Sequence, residues 1–160
     1  MKATQSGFTI IEIIVVLGIL ATLTGIGFIS VVNIQRRVPL SATASIMMGD
    51  LRGQQTKAMA GDTQGADAGG SYGIYFQPDA YVLFKGSSYN PADTTNAVTP
   101  LPTHITVHTT FPGSSVVFAG GSGDVVGFAE GSSSVTLTQN LSGELKTLML
   151  NRYGAVISLQ

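Results

Sequence analysis

Phe8–Val32 reads FTIIEIIVVLGILATLTGIGFISVV, 25 residues in which Glu12 is the one charged side chain. As a helix rising ~1.5 Å per residue, such a run reaches ~37 Å, enough to cross a hydrocarbon layer ~30 Å thick. Only MKATQSG, residues 1–7, stands in front of it. An ionised carboxylate at membrane depth costs ~2.5–3.5 kcal/mol even on the lenient insertion scale, so Glu12 needs a reason. Either it sits near enough to the membrane edge to reach water, or it awaits a cation from a partner helix.

The residues around Glu12 favour the second reading. Gly7, Phe8, Thr9 and Glu12, followed by IIVVLGILATL, resemble the leader junction of type IV prepilins and pseudopilins. That resemblance implies a class III leader peptide over residues 1–7, cut after Gly7 by a membrane-embedded prepilin peptidase. It implies N-methylation of the new terminus on Phe8. It also implies that Glu12 faces the N-terminal ammonium of a neighbouring subunit as helices assemble into a filament. Physically, two opposite charges that both lack water offset each other's desolvation only when they meet closely.

A chain of 160 residues allows one domain plus an appendage. Charged residues make up 11 %, and the mean hydropathy is +0.32, much of it from the first 32 residues. There is no cysteine, which excludes disulfides, Cys-based metal sites and thiol nucleophiles. From Gly61 to Gln160 there are 7 acids against 3 bases, a net charge of -4, which makes nucleic acid and anionic lipid poor partners.

A conventional secretory signal fits less well. The apolar run exceeds an h-region of about 7–15 residues, and the small-x-small triplet Ala42-Thr43-Ala44 comes only after Arg36, Arg37 and Pro39. Lys2 flanks one end of the run while Arg36 and Arg37 flank the other, so the positive-inside count leaves orientation open. The prepilin resemblance alone implies an inner-membrane, single-pass protein with its N-terminus in the cytoplasm and its head outside.

After Val32 the helical pattern becomes amphipathic. Leu40, Ala44, Met47, Met48, Leu51, Ala58 and Met59 recur at spacings of three and four, the core-facing stripe of a helix. Phe8 to about Ala60 would span ~80 Å if continuous, with Gly25, Gly27 and Pro39 as the places to bend. The divisions expected are thus a leader (1–7), a transmembrane half (8–32), an amphipathic half (33–60) and a β-rich head (61–160).

GDTQGADAGG ends the helix with turn-forming residues. SYGIYFQ and AYVLFK flank Pro78-Asp79, the strongest hairpin signal in the chain. Ser87–Pro102 reads as a 16-residue polar connection, long enough to suggest a contact role. HITVHTTF, SVVFAG, DVVGFA, SSVTLTQ, LKTLMLN and GAVISL then read as short strands of an antiparallel sandwich or curled sheet. The fold class expected is α+β and pilin-like: a long N-terminal helix against an antiparallel β head. Through SYGIYF, YVLFK, LPTHITV, VVFAGGSGDV and LKTLMLNRYGAVIS, the head resembles the GspH/FimT group of minor pilins and pseudopilins. In some members of that group an Arg-rich stretch after the final glycine turn is associated with DNA binding. Here Gly154 is followed by Ala155, Val156 and Ile157, with Arg152 the only base nearby.

No converging set of catalytic residues stands out, and no cofactor is implied. His104 and His108 lie four apart in a strand, ~13 Å along it, too far for one metal, and read as solvent-facing. GGSGD (Gly120–Asp124) lacks a following helix and lysine and reads as a β-turn. Asp93, Asp124 and Glu130 lack the ordered spacing of a loop chelator. Asn140-Leu141-Ser142 fits a glycosylation acceptor, a pattern common by chance. The functional residues are therefore those of processing and assembly, Gly7, Phe8 and Glu12. The partners implied are the prepilin peptidase, the inner membrane and other pilin or pseudopilin subunits. The alternative is a surface-anchored head that captures a ligand or DNA, with Tyr75 and Tyr81 as a two-tyrosine contact face.

Overall fold

A computed structural model describes residues 9–61 and 70–159, with the side chains of 25–39 and 158–159 outside the described set. Its architecture is α+β and pilin-like, one long helix followed by two antiparallel sheets. Helix α1 runs Ile10–Met59, and the helical backbone passes through Gly25, Gly27 and Pro39. The chain divides into two compact units, Met1–Arg37 and Val38–Gln160.

In the first unit, every described large apolar side chain of α1 from Ile10 to Leu23 is exposed, on all sides of the helix. A helix exposed and apolar all round differs from an ordinary surface helix, whose apolar residues keep to one stripe.

The second unit begins with the rest of α1. Leu40, Ala44, Met47, Leu51 and Ala58 are buried at spacings of three, four and seven, while Arg52 and Lys57 stay on the solvent side. Eight strands complete the unit: β1 Tyr72–Gln77, β2 Ala80–Lys85, β3 Ala97–Pro100, β4 Ile105–Thr109, β5 Ser115–Phe118, β6 Ser134–Gln139, β7 Glu144–Leu150 and β8 Val156–Leu159. The first sheet has the order β3-β2-β1-β5 and the second β4-β6-β7-β8. One hydrophobic cluster joins the helix stripe to Tyr72, Ile74, Phe76, Val116 and Phe118 of the first sheet and Ile105, Val107, Leu137, Leu148 and Leu150 of the second.

The expected hairpin is present, with Gln77 opposite Ala80 across Pro78-Asp79. Its tip is stitched to the chain around β4: Val107 N donates to Pro78 O at 3.0 Å and Leu101 N to Asp79 O at 2.8 Å. Two expectations for the later chain need correction. DVVGFA is not a strand; Val125 makes a single bridge to Phe118, and Gly127 turns the backbone at φ +66. Conversely, β3 lies inside the stretch read as a polar connection, paired to β2 from Ala80↔Pro100 to Leu83↔Ala97.

The end of α1 is held to the sheets by polar contacts, as buried backbone groups need partners. Gln54 Nε2 donates to the carbonyls of Gly73 at 2.9 Å and Phe84 at 3.3 Å. Gln55 Nε2 donates to Gly123 O at 3.1 Å and to Tyr153 O. Gly121 N donates to Ala58 O at 2.8 Å, capping a carbonyl of the last helical turn. The GGSGD segment is thus a cap for the helix end as well as a turn. At Gly123 (φ +73) an added Cβ would lie 2.5 Å from Met59 Cγ, so glycine is required for the approach.

Candidate processing and assembly site

Glu12 sits in the first turn of α1. Its backbone N–H donates to Thr9 Oγ1 at 3.3 Å, and Ile13 N donates to Thr9 O at 3.3 Å, so Thr9 acts as the N-cap of the helix. A carboxylate there faces the positive end of the helix dipole. Glu12, Ile13, Val16 and Leu17 line an open groove of about 260 Å³. These residues stand at i, i+1, i+4 and i+5, one face of the helix. The lining of the groove is wholly apolar, so Glu12 contributes its aliphatic stem to it and not its carboxylate.

Gly7 and Phe8 lie outside the described residues, as does the leader. Of the expected span over 8–32, side chains are described from Thr9 to Thr24. Among the described residues, no helix is long and apolar enough to cross a membrane.

Tyr75 and Tyr81, expected to share a contact face, do not form one. Tyr75 pairs with Val82 and Tyr81 with Phe76, so the two rings point to opposite sides of the sheet. Tyr81 is 1 % exposed and donates to Asp50 Oδ2 on α1. Burial, then the Asp50 hydrogen bond, pushes its phenol well above the ordinary tyrosine value. Tyr75 stacks instead on Tyr89, with ring centroids 4.2 Å apart and planes 8° from parallel. Tyr89 also meets Phe84 at 5.7 Å, and Phe84 lies over Gly73, where a Cβ would come within 2.5 Å of its ring. The segment read as a polar connection is thus anchored by an aromatic that its composition hides.

Its turn is fixed by Asp93, whose Oδ1 accepts from Thr95 N at 2.8 Å and Thr95 Oγ1 at 2.7 Å. The Thr95 backbone bond first, then the Thr95 hydroxyl, holds the Asp93 carboxyl below its usual value. Asp93, Asp124 and Glu130 are not brought together; among the described residues no group of three His, Cys, Asp or Glu could hold a metal. His104 and His108 are both exposed, but His104 precedes β4 and takes a left-handed backbone at φ +70.

Sequence reasoning missed two features. The helix's outward side carries Gly49 and Gly53, both exposed, and a Cβ built on either meets nothing within 4 Å. The second is an open cleft of about 400 Å³ at one end of the second sheet, walled by Phe128, Glu130, Met149, Arg152, Tyr153 and Ile157.

Among curated proteins and among solved structures, none matches this chain. Residues 2–28 match a family described as the prokaryotic N-terminal methylation motif. That segment contains the Gly7-Phe8 junction, the Thr9 cap and Glu12. The chain therefore carries the N-terminal methylation motif expected from its resemblance to type IV prepilins and pseudopilins.

Proposed function

We propose that this protein is a structural subunit of a type IV pilus or a type II secretion pseudopilus. A prepilin peptidase removes residues 1–7 after Gly7 and methylates Phe8. The mature chain is held in the inner membrane by residues 8–32 with the head (61–160) outside, and the helix then carries it into a filament. The single observation that supports this reading most is the methylation motif over residues 2–28 with Glu12 in the first turn of an exposed apolar helix. Glu12 neutralises the N-terminal ammonium of a neighbouring subunit and sets axial register. The resemblance of the head to the GspH/FimT group favours a minor component. N-terminal sequencing and mass analysis of the membrane-extracted protein test the reading. A chain that begins at methylated Phe8 supports it; a chain that keeps residues 1–7 in the filament or membrane overturns it.

The cleft at Phe128 and Tyr153 favours a second reading, in which the head also captures a ligand. An acidic head disfavours DNA, and the absence of DNA binding to the exported protein at low ionic strength would remove that version.

A further inference from the structure

We propose that Asn140 is an N-glycosylation acceptor, the first residue of an Asn-Leu-Ser acceptor triplet presented on the β6–β7 turn. The inference rests on the proposed function in one respect: the head must be exported.

The triplet by itself says little, but its placement says more. Asn140, Leu141, Ser142 and Gly143 are all exposed and form the turn between β6 and β7. The turn is tight, with Gly143 at φ +71 and its N–H donating to Gln139 O at 2.8 Å. Asn140 is held at two points: its backbone N–H donates to His104 O at 2.8 Å, and its Oδ1 accepts from Thr106 Oγ1 at 3.1 Å. Among the described residues its Nδ2 has no hydrogen-bond partner. The acceptor nitrogen is thus the one polar atom of that side chain left without a partner. Ser142 Oγ accepts from Glu144 N at 3.3 Å, which leaves its hydroxyl proton available.

A second observation concerns the surface beside the turn. Leu141 is 59 % exposed and Leu145 56 %. Leu145 stands opposite Thr138, and Thr138 opposite Thr106, so Asn140 sits at the rim of the outward face of the second sheet. The outward positions of β4, β6 and β7, Thr106, Thr136, Thr138, Leu145, Thr147 and Met149 among them, include no Asp, Glu, Lys or Arg. Surfaces without charge need another source of solubility. A hydrated glycan rooted at Asn140 would cover this face.

In the transfer, Nδ2 of Asn140 forms a bond to the anomeric carbon of a lipid-diphosphate-linked oligosaccharide. The anomeric C–O bond breaks, the lipid diphosphate leaves with its electron pair, and the Nδ2 proton passes to a carboxylate base of the transferase. Oxidation states of both partners are unchanged.

The test is intact-mass and peptide mass spectrometry of the full chain from its native cells. The expected result is a sugar mass on the peptide containing Asn140, lost in Asn140→Gln and Ser142→Ala and kept in Ser142→Thr. Ser142→Ala leaves the Asn140 contacts in place, so its loss of the mass reports the triplet and not the fold. A chain beginning at Phe8 with Asn140 unmodified overturns this inference and leaves the assembly reading standing. A glycosylated Asn140 on a chain that retains residues 1–7 supports the inference and overturns the proposed processing. A mass that persists in Asn140→Gln overturns the assignment to Asn140.

Discussion

Tyr81, on the inner side of the first sheet, donates its phenolic hydrogen to Asp50 on α1. The bond ties helix to sheet across the core, and removing one partner leaves the other with a polar group to desolvate. Tyr81→Phe is expected to cost about 1.5–3 kcal/mol in urea unfolding, the range for hydrogen bonds to charged groups. Asp50→Ala costs a similar amount, and the double variant costs less than the two together. Because the folded protein holds the phenol above its ordinary value, this contribution is complete below about pH 10 and declines as pH rises further. Spectrophotometric titration should find one tyrosine that ionises last, and Tyr81→Phe should remove it.

Under the proposed function Glu12 is the assembly acid. Glu12→Gln keeps size and polarity but loses the charge that meets an ammonium. Its expected phenotype is normal processing at Gly7-Phe8 with filament incorporation reduced at least tenfold, read by quantitative mass spectrometry of sheared filaments. Wild-type incorporation would show that register is set elsewhere.

Gly49 and Gly53 separate stability from assembly. Each glycine in a helix interior costs roughly 1 kcal/mol relative to alanine, and among the described residues a Cβ on either would meet nothing within 4 Å. Gly49→Ala with Gly53→Ala should therefore raise the melting temperature of the protein. If another helix approaches this side, the same substitutions lower filament incorporation.

Gly154 is the opposite case. At φ +72 it lies where a Cβ would come 2.5 Å from Gln55 Nε2 and 2.8 Å from Phe118 Cε1. Gly154→Ala combines left-handed strain with displacement of Gln55, and a loss of about 1–3 kcal/mol is expected by denaturant titration. Gln55→Ala should be additive with a distant substitution such as Tyr81→Phe but not with Gly154→Ala.

Asp93 fixes the turn that carries Tyr89 to Tyr75. Its folded value is depressed, so its contribution is present above the ordinary aspartate range and lost as pH falls through the lowered value. Near-ultraviolet circular dichroism of the tyrosines should therefore weaken only on strong acidification. In Asp93→Ala it should already be weakened at neutral pH.

The helix and most strands were legible because burial follows the 3.6 and 2.0 periods: Leu40, Ala44, Met47 and Leu51 on one, Val135, Leu137 and Gln139 on the other. β3 was hidden because it is an edge strand of four residues, mostly exposed and ended by Pro100, so it shows no alternation. Val125 and Val126 imitate a strand by composition, yet Val125 N donates to Arg152 O and Val126 N to Val117 O, two different segments, and Gly127 turns the backbone, so only one bridge forms. Tyr75 and Tyr81 look like one face in the sequence, but the two-residue turn sets a register in which they must diverge. The place of Glu12 in a helical apolar run was legible because charge inside such a run is rare. Gly49 and Gly53 were not, since whether a glycine faces a neighbour or open space is a property of packing.

The clasp at the end of α1 has a mechanical consequence. Gln54, Gln55 and Asp50 reach three separate places, Gly73 with Phe84, Gly123 with Tyr153, and Tyr81. A tug along the helix loads these anchors side by side, so they must yield together and not one after another. A pull on α1 would leave the sheets folded under tension that would peel a singly tethered domain apart.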